Sequence, residues 1–191
     1  MTAIYKRLND SPAARWTALL IVSFTMMCGY FITDVMAPLE DLLTKSPAEG
    51  GLGWTSDEYG FFSGAYGYIN VFLLMLFFGG IILDKCGVRF TGTMSSSLMF
   101  VGALLKWYAL DNTFGDAQIF GYPVQVALAA LGFAIFGMGA EITGITVTKI
   151  IAKWFTGHEL ALAMGLQVAM ARIGTAVALA CSLPIANKMG A

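Results

Sequence analysis

Residues 80–89 read Gly80-Ile81-Ile82-Leu83-Asp84-Lys85-Cys86-Gly87-Val88-Arg89. An apolar run at about 59–83 leads into this stretch, and another at about 90–110 leads away from it. The charged part, Asp84 to Arg89, is too short to be anything but a tight connection. A membrane-spanning helix needs roughly 20 apolar residues. Two such runs joined by a charged turn are predicted to be two membrane helices folded back on each other.

Outward from this pair, further apolar runs lie at about 16–38, 121–148 and 160–184. The breaks between runs carry turn and polar residues: Lys45-Ser46-Pro47-Ala48-Glu49-Gly50-Gly51, then Asp111-Asn112-Thr113-Phe114-Gly115-Asp116, then Lys153 to Glu159. Pro184 and Asn187-Lys188 mark the expected end of the last run. The composition agrees with a membrane protein. The chain of 191 residues is 58% hydrophobic and 12% charged, against roughly a quarter charged in a soluble domain. The expected fold is all-α and integral to the membrane, with five spans and no sizeable soluble domain. No strand alternation suggests a barrel. The net charge of -1 excludes nucleic acid as a partner. The first run is too long for a signal-peptide core and reads as a retained span.

The basic residues orient the layout. Lys6, Arg7, Arg15, Lys85, Arg89, Lys149 and Lys153 fall on one side. Lys45 and Lys188 fall on the other, beside Glu40, Asp41, Glu49, Asp57 and Glu58. The positive-inside rule places the N-terminus and loops two and four in the cytoplasm. The membrane is expected to be a plasma or bacterial inner membrane, with a lysosomal membrane as the alternative. Lys106 falls near the outer end of the third run, where its stem is expected to snorkel toward water. The glycines of spans two and four (Gly60, Gly64 and Gly67; Gly132, Gly137, Gly139 and Gly144) predict close helix approach, on faces that pack or slide.

Chemistry-bearing residues are few. Cys28, Cys86 and Cys181 are too scattered for a disulfide framework or a zinc site, and His158 cannot form a metal cluster alone. No enzyme chemistry and no cofactor is expected. Charges within a bilayer are costly and mark function by default. At 1.5 Å per residue, Glu141 lies roughly 18 Å from Lys153, and Arg172 roughly 21 Å from His158. Asn70 lies at a similar depth, and Asp34 lies nearer the outer mouth. An acid, a base and an amide at one depth describe a polar cavity. Two readings are open: Glu141 and Arg172 form a structural ion pair, or they grip the two ends of a zwitterion. In the second reading Arg172 offers its planar fork to a carboxylate and Glu141 receives an ammonium. Gln167 adds a hydrogen bond or ties helices together, and Tyr30, Tyr66 and Tyr68 line the cavity or pack.

The 80–89 stretch resembles the loop signature of the major facilitator superfamily, Gly-x-x-x-Asp-(Arg/Lys)-x-Gly-(Arg/Lys)-(Arg/Lys). Gly80, Asp84, Lys85, Gly87 and Arg89 match it, and Val88 departs from it. Trp154-Phe155-Thr156-Gly157-His158-Glu159-Leu160, with Met164-Gly165-Leu166-Gln167 and Met170-Ala171-Arg172-Ile173-Gly174, is similar to a branch of that superfamily. The branch is associated with dipeptide transport across lysosomal membranes. Phe136 to Glu141, Tyr30-Phe31 with Asp34, and Asn70-Val71 also line up. The resemblance implies that Asp34, Asn70, Glu141 and Arg172 line the substrate cavity, and that the 80–89 motif is a conformational loop. Many relatives carry an arginine, tied to proton coupling, where this chain has Phe133. That puts proton coupling in question.

The superfamily uses two six-helix halves with substrate between them. The resemblance thus implies a partial N-terminal half, with a C-terminal half as missing partner. A half-size protein that dimerises is the alternative. The expected function is alternating-access transport of dipeptides or similar zwitterions. A transporter of organic or inorganic anions, and a non-transporting scaffold or sensor, remain as alternatives.

Overall fold

A computed structural model describes residues 11–112, 114–115 and 117–189. Lys6, Arg7, Thr113 and Asp116, named above, lie outside the described residues. Six helices follow in order: α1 Pro12–Asp34, α2 Glu40–Thr44, α3 Ser56–Phe72, α4 Met75–Asp111, α5 Val124–Phe155 and α6 Leu160–Met189. A short hairpin of β1 Gln118–Ile119 and β2 Tyr122–Pro123 precedes α5, with Ile119 opposite Tyr122. Among the described residues, four stretches are long and apolar enough to cross a membrane: Pro12–Thr44, Met75–Asp111, Val124–Phe155 and Leu160–Lys188.

Gly87 divides α4. Its φ of 79° and ψ of 171° fall in a region essentially reserved for glycine. Before it, Gly79 meets Ile142 and the Leu83 carbonyl meets Lys149, so residue numbers rise together along α5. After it, Gly92 meets Thr146, Gly102 meets Phe136 and Lys106 meets Gly132, so the numbers run in opposite senses. The chain therefore doubles back at one glycine, and the expected charged loop is helical on both sides of it.

The expected run 59–83 is not one helix. α3 ends at Phe72 and α4 begins at Met75, with Leu74 left-handed at φ 49°. That conformation costs a non-glycine residue roughly 1–2 kcal/mol. α3 keeps the same sense as 75–86, since Phe62 stacks on Phe133 and Tyr66 meets Gly137. Two other ends also differ from expectation. α5 continues to Phe155, so the fourth loop shrinks, and α6 continues through Pro184. The first loop is partly ordered: Thr55 and Glu58 form a reciprocal capping box at the start of α3. Trp54 donates to Gln125 Oε1 at 3.2 Å, tying that loop to α5.

α5 is the central helix, because small residues let its neighbours come to backbone distance. A Cβ on Gly102 would stand 2.4 Å from the Phe136 nitrogen, and one on Gly132 2.6 Å from the Lys106 nitrogen. Such crossings replace the hydrophobic drive that lipid does not supply. Two apolar clusters result. One joins Trp54, Phe62, Val126, Phe133 and Phe136, and the other joins Leu19, Met26, Val147, Ile151 and Phe155. A polar layer lies along α5 between them.

Candidate functional site

Glu141 stands near the middle of α5, as its residue count predicts. Its Oε1 accepts a 2.8 Å hydrogen bond from the Tyr66 hydroxyl on α3. Among the described residues, Oε2 has no partner. Both residues line a small cavity of about 30 Å³. α1 supplies Thr25, Gly29, Tyr30 and Thr33 to its wall, α4 supplies Met99, and α5 supplies Thr143 and Gly144. Thr143 donates to Ser95 Oγ at 2.9 Å, which fixes α5 against α4 at this level.

Arg172 approaches from α6. Its guanidinium carbon lies 5.9 Å from the centroid of the Tyr30 ring, within cation–π range. Its side chain is exposed. Among the described residues, no ion pair joins Glu141 to Arg172. Tyr30 and Tyr66 therefore connect the two charges to one cavity from opposite sides.

Of the five residues expected at the site, only Glu141 lines this cavity directly. Asn70 sits one turn beyond Tyr66 and donates to the Tyr66 carbonyl at 2.9 Å, while its buried Oδ1 has no partner among the described residues. Asp34 lies one turn beyond Tyr30 and accepts a 2.6 Å hydrogen bond from Thr175 on α6. Gln167 is buried on α6. Tyr68 leaves the site: it is 41% exposed and packs beside Phe61 and Phe72. The threonines of α1 were missed. Thr25, Gly29 and Thr33 recur every four residues, and that spacing is the signal that marks one helix face.

The loop motif is built differently from expectation. Asp84 pairs with Lys149 on α5 at 2.6 Å, while Lys85 and Arg89 are exposed. The glycine that packs is Gly79, against Ile142, and a Cβ on motif residue Gly80 would meet open space. At the same end, Arg15 approaches Glu159 to 4.0 Å. Lys106 contradicts the snorkelling expectation. It is 6% exposed, and its ammonium lies 5.0 Å from the Phe133 ring and 5.8 Å from the Phe136 ring. It points inward because its backbone is pinned against Gly132, on the buried face of α4.

Long apolar helices packed around a polar, charged layer define a multi-helix membrane protein. The Major Facilitator Superfamily profile matches residues 19–190, and the chain belongs to that family. Among curated relatives, a lysosomal dipeptide transporter MFSD1 of Bos taurus is 29% identical over 166 residues, covering 86% of this chain and 32% of the relative. The Homo sapiens counterpart is 28% identical over 166 residues with the same coverage. The Danio rerio counterpart is 33% identical over 114 residues, covering 59% of this chain and 22% of the relative. The chain thus spans about a third of the length of the mammalian relatives. No solved structure matches.

Proposed function

We propose that the protein moves dipeptides, or similar small zwitterions, by alternating access. The observation that carries this reading is a pair of opposite charges not bonded to each other: Glu141 lines the cavity, and Arg172 lies outside its lining, near the Tyr30 ring that forms part of the wall. The names of the curated relatives support the choice of substrate class.

The residues divide the task. Tyr66 occupies one oxygen of Glu141 and fixes the carboxylate, leaving Oε2 for an incoming ammonium. Arg172 presents a planar fork that suits a carboxylate with two parallel hydrogen bonds. Tyr30 supports the guanidinium from below. Leaving either charge unpaired in a bound complex is costly, so a substrate with both termini free is preferred to one with either terminus blocked. A cavity of about 30 Å³ has room for about one water. Loading a dipeptide therefore requires the α1 wall to move away from α5.

Five passes are proposed: α1, α3 continued by 75–86, 88–111, α5 and α6. The end carrying Arg15, Asp84, Lys149 and Glu159 faces the cytoplasm under the positive-inside rule. Uptake of a labelled dipeptide into proteoliposomes bearing the protein tests the reading. Competition by unlabelled dipeptides, but not by simple organic or inorganic anions, is expected. Competition by anions alone, or uptake unchanged in both Arg172→Ala and Glu141→Gln, would overturn it.

A further inference from the structure

α1 supplies Thr25, Gly29, Tyr30 and Thr33 to the cavity wall, and its C-terminal end is held from two sides. From α6, Thr175 donates to Asp34. From α4, Lys106 Nζ donates to the Ile32 carbonyl at 3.4 Å. The last carbonyls of a helix lack intrahelical donors, and its C-terminus attracts a cation. α1 ends at Asp34, with the Val35 amide already on the Phe31 carbonyl, so Ile32 is the next carbonyl in need of a donor. Lys106 meets that need with its terminal nitrogen, in a setting where water is largely excluded. Among the described residues, no carboxylate oxygen lies within 4.0 Å of the ammonium. Two aromatic faces and one helix terminus are what hold it there.

We propose that Lys106 is a positioning residue of the cavity: its ammonium, seated over Phe133 and Phe136, latches the last turn of α1 so that Tyr30 and Thr33 form the closed wall. The latch is rigid at its base, because Gly132 packs on the Lys106 backbone and Gly102 on the Phe136 backbone. It is weak at its tip, where a single long hydrogen bond meets the carbonyl. α1 can thus leave while Lys106 stays with α4 and α5. The role in transport rests on the function proposed above, whereas the latch itself can be read without transport.

The test uses the protein with Cys28, Cys86 and Cys181 replaced by serine and Thr33→Cys as reporter. Labelling by a small water-soluble maleimide follows the opening of the α1 wall. Lys106→Met, which keeps the length and removes the charge, is expected to raise the labelling rate about tenfold. Lys106→Arg is expected to restore the slow rate. If Lys106→Met does not accumulate in the membrane, Phe133→Leu serves, because it removes one ring, keeps the charge and is expected to raise labelling about threefold. An unchanged rate in whichever variant folds, or Lys106→Arg labelling as fast as Lys106→Met, would overturn the latch. In uptake, Lys106→Met is expected to shift KM for dipeptide with kcat little changed. A wild-type protein that labels as predicted but takes up no dipeptide would leave the latch standing and defeat the transport reading instead.

Discussion

The two sides of the polar layer hold their charges with different rigidity. On the α3–α5 side, Glu141 is bonded to Tyr66, Thr143 to Ser95, and α4 and α5 meet at backbone distance through Gly102 and Gly132. On the α1–α6 side the helices also meet at backbone distance, through Gly174 against the Met27 carbonyl, but Arg172 is exposed with its guanidinium 5.9 Å from the Tyr30 ring centroid, and Asp34 reaches α6 through a single hydroxyl. One charge is held by a hydrogen bond and the other is exposed. Under the proposed function this asymmetry has a use: the held acid would set where the substrate ammonium sits, and the exposed base would close on the carboxylate. Preorganisation limits the ordering cost of binding on one side only.

The strongest way to break this contrast is to attack the rigid side at its crossing. Gly102→Ala puts a methyl group into the Phe136 backbone, and backbone atoms cannot yield as a side chain can. A loss of about 3 kcal/mol or more is expected, read as a collapse of the thermal transition in detergent. Gly165→Ala, where a Cβ meets open space, is expected to melt like wild type. Equal behaviour of the two would show that the crossing is not what makes this side rigid.

The next largest effects fall on the charges. Arg172→Ala and Glu141→Gln are each expected to raise KM for dipeptide about thirtyfold or more, since a bound charge left unpaired costs roughly 2–5 kcal/mol. Tyr66→Phe sharpens the comparison, because it frees the acid without removing it. About a tenfold rise is expected, from the roughly 1.5–3 kcal/mol of a hydrogen bond to a charged group. An effect of Tyr66→Phe as large as that of Glu141→Gln would mean that the tyrosine itself, and not the carboxylate it orients, meets the substrate. The smallest effect is placed outside the layer. Thr55→Ala removes the capping box of α3 and should cost about 1 kcal/mol of stability. It should leave KM unchanged, as measured by melting and uptake in parallel.

Much of this architecture was legible along the chain. The depth of Glu141 followed from counting residues, because helix rise is nearly constant. The turn at Gly87 followed from a glycine set in a short charged stretch. Two features were not legible, for different reasons. The break at 73–74 interrupts Val71-Phe72-Leu73-Leu74-Met75, an apolar run with no glycine or proline to announce it. Its position is set by how α3 and 75–86 each seat against α5. Lys106 owes its inward position to helical phase and not to distance along the span. It shares a face with Ser95, Gly102 and Ala109, all buried, and that stripe points inward. Arg172 falls near the middle of α6, but no count of residues could show that it lies near Tyr30 instead of pairing with Glu141.

The central claim is that Glu141 and Arg172 hold opposite ends of one substrate. The direct measurement is uptake competition by a dipeptide and its N-acetylated and C-amidated forms, in wild type, Glu141→Gln and Arg172→Gln. The account predicts that wild type rejects both blocked forms. Glu141→Gln is expected to stop discriminating against the acetylated form alone, and Arg172→Gln against the amidated form alone. Wild-type protein that accepts both blocked forms as well as the free dipeptide would contradict it.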